Sequence, residues 1–205
     1  MIAREGIKCL YTMTSLGEGI PGEHKRILLQ VASASLEHGL RHGTPLSVVA
    51  GEYPLELQAL RAVFVTLRLE AELRGCVGTL DAEQPLICNV AKYSYAAGFS
   101  DTRFSPLTWR ELPSLRICIS VLSPLERMNY ENETDLLRQI RPGIDGLFIE
   151  EGLNRGTLLP SVLEDIPEPG EFLRRLKLKA GLSARHWSDT VSVRRYTTTS
   201  ISQEG

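Results

Sequence analysis

The chain has 205 residues, 42% of them hydrophobic, and a formal net charge of −2. That length and apolar content support a core that needs neither metals nor disulfides. Acidic and basic residues are interleaved with no long block of one sign, which excludes the charge pattern of a nucleic-acid or anionic-membrane binder.

Residues 1–20 read as an N-terminal arm. Met1 to Leu16 carries Arg4, Glu5 and Lys8 and lacks the apolar segment of a secretory signal, so a cytoplasmic setting is expected. Pro21 and Gly22 introduce a helix with Ile27, Leu28, Val31, Ala34 and Leu40 near helical period, stopped by Gly43. A loop runs to Pro54. Arg61 to Leu69 alternates with period two, placing Val63, Val65, Leu67 and Leu69 on one face. Glu70-Ala71-Glu72 separates it from Leu73 to Leu80, and the two runs form an antiparallel hairpin. A three-residue loop sets Leu69 opposite Leu73, Val65 opposite Val77, Thr66 opposite Cys76 and Arg68 opposite Arg74, whereas a two-residue loop puts Arg74 among the leucines.

Pro85 opens a second helix, with Ile87, Val90, Ala91 and Tyr95 on one stripe and an end near Gly98. Asp101 to Pro106 is a loop, and Thr108 to Glu111 has the spacing of a capping box before Pro113. Leu115 to Leu122 is a strand, and a short helix follows near Asp135 to Ile140. Ile144 to Ile149 and Gly156 to Leu159 form a second hairpin, with Gly152 and Asn154 in its turn. A helix from Glu171 to Lys179 closes at Gly181, and Thr190 to Tyr196 is a last strand. The expected fold is α+β, a mainly antiparallel sheet with flanking helices, as a single domain over residues 21–200 with a 201–205 tail.

Leu73-Arg-Gly-Cys-Val-Gly78 is the most unusual segment. Two glycines inside a strand point to a bulge or a close backbone approach. One reading makes Cys76 a reactive thiol in a shallow groove, with Arg74 favouring its thiolate. The plainer reading makes it a small packing residue, the glycines leaving room for a helix. In Asp101-Thr-Arg103, Arg103 either anchors an anionic ligand or ties to Asp101 to fix the loop. His38 and His42, four apart at a helix end, lack a third ligand, so no metal site is expected, and no cofactor motif occurs. The four cysteines, Cys9, Cys76, Cys88 and Cys118, are scattered without a Cys-x-x-Cys pair and read as reduced thiols.

In order along the chain, Phe64-Val-Thr-Leu67, Leu73-Arg-Gly-Cys-Val-Gly-Thr79, Tyr95-Ala-Ala and Asp101-Thr-Arg-Phe-Ser-Pro106 come first. Glu111-Leu112, Ile119-Ser-Val-Leu122 with Glu126, and Gly143-Ile-Asp-Gly146 follow. Arg155-Gly-Thr with Leu159-Pro160, Lys179-Ala-Gly181 and Arg195-Tyr196 complete the series. This series resembles the AMMECR family, whose bacterial and archaeal members are called AmmeMemoRadiSam system protein A. The family usually has isoleucine at Val77, a glycine at Glu70 or Ala71, and an aromatic at Leu125. The resemblance implies a fold of a larger and a smaller lobe, with the Arg-Gly-Cys segment near the groove between them. It also implies work alongside a Memo-like dioxygenase-fold protein and a radical SAM protein, and no established reaction.

Two functional readings follow. In the first, the chain is a binding module or adaptor whose groove recognises a small anionic ligand or a partner segment through Arg74, Gly75, Arg103, Glu126 and Arg155. In the second it is an enzyme: Cys76 is the nucleophile or redox thiol, Arg74 its activator, Arg103 a substrate anchor, and Asp101 or Glu126 the orienting acid. The enzyme reading lacks a base near Cys76. A third, plainer reading pairs Arg74 and Arg103 with acids such as Glu126 and Asp101 for structure alone.

Overall fold

In the computed structural model, residues 19–160 and 168–202 are described. Helix α1 spans Gly22–His42, opened by Pro21 and closed by Gly43 in the left-handed conformation at φ 71°. Leu28, Val31, Ala32 and Leu36 form its buried stripe, and Ser35 Oγ donates to the carbonyl of Ala91 at 2.7 Å. The expected loop to Pro54 contains a short 3₁₀ turn at Ala50–Glu52 and leads into a one-turn helix α2, Leu55–Gln58. Strands β1 (Val63–Leu69) and β2 (Glu72–Thr79) precede helix α3 (Leu86–Phe99) and strand β3 (Leu115–Leu122).

The second half begins with the two-residue strand β4 (Glu126–Arg127). Helix α4 (Glu133–Gln139) is capped by the Asn132 side chain, which accepts from Asp135 N. Strands β5 (Gly146–Glu151) and β6 (Asn154–Leu158), helix α5 (Pro169–Lys179), and strands β7 (Ser192–Tyr196) and β8 (Thr198–Ser202) complete the fold. Strand β8 includes two residues of the expected 201–205 tail, with Ile201 buried.

The strands make two antiparallel sheets, β2-β1-β3-β8 and β4-β7-β5-β6, so the architecture is α+β. In the first, Val63, Val65, Leu67, Ile117, Ile119 and Val121 share a face with the apolar stripes of α1 and α3. In the second, Leu147, Ile149 and Val193 pack with Leu136 of α4 and Phe172, Leu173 and Leu176 of α5. A smaller cluster joins the two sheets. Ala62 and Leu122, from the opposite face of the first sheet, pack with Tyr196 of β7, alongside Phe64, Leu125 and Leu159. Tyr196 Oη lies 2.7 Å from Thr157 Oγ1 and donates to Leu158 O at 3.1 Å, which satisfies its only polar atom inside that cluster.

The β1–β2 hairpin combines the two registers weighed from sequence. The inner part holds as expected, with Val65 opposite Val77 and Thr66 opposite Cys76. The outer part does not: Leu69 faces Glu72 and Arg68 faces Leu73, with a register shift beside Arg68. The turn is two residues long, and Arg74 is the extra residue of a β-bulge, which removes it from the ladder instead of burying it among leucines. The tight turn forces Glu70 to φ 53° and Ala71 to φ 88°, a conformation that costs a non-glycine residue roughly 1–2 kcal/mol. Ala71→Gly should therefore raise unfolding stability by about 1 kcal/mol. Urea denaturation of the two proteins side by side tests this, and an unchanged or lower midpoint would remove the strain argument.

Candidate functional site

Strand β2 is an edge of the first sheet, so alternate backbone groups face away from β1. At Cys76 those groups are taken by the loop after α3. The Cys76 N–H donates to Asp101 Oδ2 at 2.9 Å, and Arg103 Nη2 donates to Cys76 O at 3.2 Å. Arg103 Nε and Nη2 also donate to the two Asp101 oxygens at 2.9 and 2.7 Å. The acid–base pair thus presents an acceptor and a donor to one residue of the edge, as a neighbouring strand would. The Asp101 side chain is only 6% exposed, while that of Arg103 is 55% exposed. The hydrogen bond from Arg103 holds the Asp101 carboxyl well below the usual range, against the opposing effect of burial, and the Cys76 N–H adds to the lowering. The sequence motif Asp101-Thr-Arg103 is therefore a loop tie whose target is the Cys76 main chain.

The two glycines beside Cys76 have packing causes. A Cβ at Gly75 would lie 2.1 Å from the carbonyl oxygen of Ala97 in α3, and one at Gly78 would lie 2.3 Å from that of Val63. Gly75 lets the end of α3 approach the strand, and the Asp101 loop begins there. The Cys76 side chain points to the face away from the helices, where Sγ is 3.3 Å from Thr66 Oγ1. Thr66 in turn pairs with Cys118 across β1 and β3, so Cys76, Thr66 and Cys118 form one row. Burial raises the Cys118 thiol pKa, and the nearby Arg68 charge opposes this.

Arg74 points elsewhere. Its Nε donates to Glu111 Oε1 at 2.6 Å and its Nη2 to the Ser105 carbonyl at 2.8 Å, beneath the Phe104 ring. Glu111 Oε2 accepts from both the N–H and the hydroxyl of Thr108, each at 2.8 Å. The capping-box spacing is real, but it closes a turn before a 3₁₀ segment at Leu112–Ser114 and not a helix. The partner of Arg74 is thus Glu111, in place of the expected Glu126 or Asp101. Glu126 lies on β4 and accepts from Arg195, and Arg155 lies on β6 and pairs with Glu150. Among the described residues neither makes a hydrogen bond or ion pair with Arg74, Cys76, Asp101 or Arg103. The proposed binding set of Arg74, Gly75, Arg103, Glu126 and Arg155 is therefore split between the two sheets.

The residue that sequence reasoning passed over is Lys179. It ends α5, on the second sheet, yet it lies within electrostatic reach of Cys76 and Arg103 on the first. Lys179 keeps exposed surface; crowding by neighbouring protein atoms lowers its ammonium pKa, the Arg103 charge lowers it further, and a Cys76 charge would raise it. Among the described residues it forms no ion pair. Lys179-Ala-Gly181 stands in the family series, but a lysine in the last turn of a helix has an ordinary explanation in the helix dipole, so the series alone did not mark it as a site residue.

The fold and site define a class: an α+β protein of two antiparallel sheets, with a thiol at the clamped edge of one and a lysine supplied by the other. The AMMECR1 family profile matches residues 29–201, and the chain belongs to the AMMECR1 family. It is 36% identical over 158 residues to a protein of Methanothermobacter thermautotrophicus, covering 77% of this chain and 82% of that one. A Methanocaldococcus jannaschii protein, MJ0810, is 37% identical over 143 residues, covering 68% of this chain and 71% of that one. The crystal structure of the uncharacterised protein PH0010 from Pyrococcus horikoshii superposes with a TM-score of 0.84 at 31% identity, covering 90% of this chain and 94% of that one.

The Arg74–Glu111 pair carries a pH dependence. The Arg74 hydrogen bond brings the Glu111 pKa down from 4.5 to about 2, against the effect of burial. A carboxyl that titrates lower in the folded state stabilises fully above its unfolded value and loses that contribution as pH falls through its folded one. Glu111→Gln should cost about 2–3 kcal/mol at neutral pH, because Arg74 is left 11% exposed and unneutralised. The gap from the parent should close between about pH 4.5 and 2. Chemical denaturation across that range measures it, and a gap that stayed constant with pH would contradict the assignment.

Proposed function

We propose that the chain is a ligand-binding adaptor whose groove, between the Cys76 edge of the first sheet and the end of α5, recognises an anionic group. It acts alongside the Memo-like and radical SAM proteins that the family resemblance implies. The observation that carries the reading is the cationic edge at Cys76: Arg103, its side chain 55% exposed, donates to the Cys76 carbonyl, and the charge of Lys179, an exposed residue at the end of α5 without an ion pair among the described residues, couples to both. Asp101 and Arg103 largely neutralise one another, so the net charge offered to the groove there is that of Lys179. The described cysteines are free, in keeping with a reducing compartment.

A second reading, a thiol enzyme, draws on the same residue. An amine with a lowered pKa whose charge couples to the thiol is a candidate for the base that the sequence lacked: neutral Lys179 Nζ, once brought within reach of Cys76 Sγ, would accept its proton and leave a thiolate nucleophile.

Alkylation of Cys76 separates the two, with Cys9, Cys88 and Cys118 replaced by alanine in a folded background. Neutral iodoacetamide and anionic iodoacetate report the local potential through the ratio of their rates. The adaptor reading expects iodoacetate to be favoured at Cys76 relative to a free thiol, and Lys179→Gln to abolish the preference by a factor of roughly 3–10. A ratio equal to that of a free thiol, unmoved by Lys179→Gln, would reject the anion groove. An iodoacetamide pH midpoint well below the free-thiol value of ~8.5, restored by Lys179→Gln, would move the assignment to the enzyme.

A further inference from the structure

The last two turns of α1 carry His38 and His42, four residues apart and so on one side of the helix. Their rings lie side by side, with centroids 4.4 Å apart and planes inclined at 43°. Among the described residues no carboxylate joins them. Glu37, the acid beside them in sequence, leans to Arg41 at 3.9 Å. The Arg41 guanidinium in turn lies over the ring of Trp109, 5.7 Å from its centroid. The one cation between the two histidines in sequence is thus engaged by the loop after α3.

Gly43 ends the helix in the left-handed conformation and turns the chain back, which sets Thr44 Oγ1 3.4 Å from His38 Nε2. That contact is long and exposed, and it leaves the second ring without a protein partner among the described hydrogen bonds. The last carbonyls of a helix give this end a partial negative charge, which favours a cation there. His42 is exposed and His38 half-buried, so the pair is open to solvent.

Two imidazoles in this relation fit a late transition metal. With N–metal bonds of ~2.0 Å, two rings bound at a right angle on a square-planar ion have centroids about 4.5 Å apart, and on a tetrahedral ion about 5.2 Å. The separation in α1 is close to the first. The terminal torsion of a histidine is broad, so each ring can turn one nitrogen to the ion at little cost. From sequence alone the pair lacked a third ligand, and no third histidine, cysteine or carboxylate joins it among the described residues. What the folded chain adds is the distance. We propose that the C-terminal end of α1 is a metal site for a late first-row divalent cation, copper(II) foremost, with His38 and His42 as its two cis ligands and water in the remaining positions. Two neutral nitrogens without a carboxylate select against the hard cations magnesium and calcium. The site is independent of the groove proposed above.

Copper(II), nickel(II), zinc(II) and magnesium chlorides are the probes, each added to the full chain. Cys9, Cys88 and Cys118 are replaced by alanine and Cys76 is alkylated, so that no thiol competes for the metal. Calorimetric titration should rank copper above both nickel and zinc, with magnesium not bound. The electron paramagnetic resonance spectrum of the copper form should show two coordinated nitrogens. His38→Gln and His42→Gln should each lower copper affinity by roughly tenfold or more, since losing a ligand costs no less than losing its outer partner. Copper should raise the urea midpoint of the parent and leave that of either variant unmoved. His24→Gln and His186→Gln, at the other two histidines, should bind as the parent does. A spectrum with a single nitrogen would overturn the pair, and so would an affinity unchanged in either His38→Gln or His42→Gln. Equal affinity for copper and magnesium would also overturn it, because charge alone would then account for binding.

Discussion

The peptide of Cys76 is where the molecule is tied together. An edge strand with free N–H and C=O groups invites another chain to pair with it, and the usual remedies are charge, a bulge or a cover. Here the cover is two side chains from one loop: Asp101 accepts from the Cys76 N–H and Arg103 donates to its carbonyl. The arrangement stands only because each side chain also satisfies the other. A carboxylate as sheltered as Asp101 would be costly alone, and the guanidinium beside it offsets that cost while remaining half in solvent. The strand, the end of α3 and the loop between Phe99 and Leu107 are thereby one unit, and the direction of the Cys76 side chain follows from it.

The bulge at Arg74 has the complementary effect. In an uninterrupted ladder Arg74 would sit opposite Arg68, a like-charge pair on the same face as the thiol. As the extra residue it leaves that face and neutralises Glu111, whose other oxygen holds the Thr108 turn. The charge nearest to Cys76 in sequence is thus diverted into structure. The strain of the Glu70–Ala71 turn accompanies this register, because the shorter turn and the bulge together preserve the pairing of Val65 with Val77. Gly143, Gly152 and Gly181 also take positive φ, with the residue type suited to it, whereas this turn lacks the glycine that the family usually has.

Much of the fold was legible because it rests on local pattern. Helix α1 declared itself by its apolar stripe and Gly43, β1 and β3 by alternation, and α5 by its Gly181 stop, although its Glu168 cap and first two residues were not read. Short elements escaped for the same reason: β4 is two residues long, and β8 is Thr-Thr-Ser-Ile-Ser, whose one core residue, Ile201, is too little signal for a strand. The site was legible in part. The Asp101–Arg103 tie follows from its spacing, and the glycines from their rarity in strands. What the sequence could not carry was which arginine meets which acid. Glu126 and Asp101 were the acids weighed for Arg74 until the bulge turned it to Glu111, and the coupling of Lys179 to Cys76 runs from one sheet's helix to the other sheet.

That last point decides where functional weight belongs. The glycines beside Cys76 make room for the carbonyls of Ala97 and Val63, so they are explained without any demand from the thiol. Asp101 is satisfied by Arg103 and the Cys76 N–H, and Arg74 is held by Glu111 and the Ser105 carbonyl, with only its Nη1 left without a partner. Subtracting these leaves few groups whose placement has no structural return: the Cys76 and Cys118 thiols with Thr66 between them, and the cations Lys179 and Arg116, since Arg68 holds the Ala71 carbonyl of its own turn. A helix end would accept a lysine on either of its exposed sides, and a strand would be more stable with one of two facing arginines replaced by an acid. Stability alone therefore favours neither the side on which Lys179 lies nor the pairing of Arg68 with Arg116. The pairing of Arg68 with Arg116 adds positive charge to the face of the first sheet that carries the thiols, and Lys179 adds charge from the helix of the second.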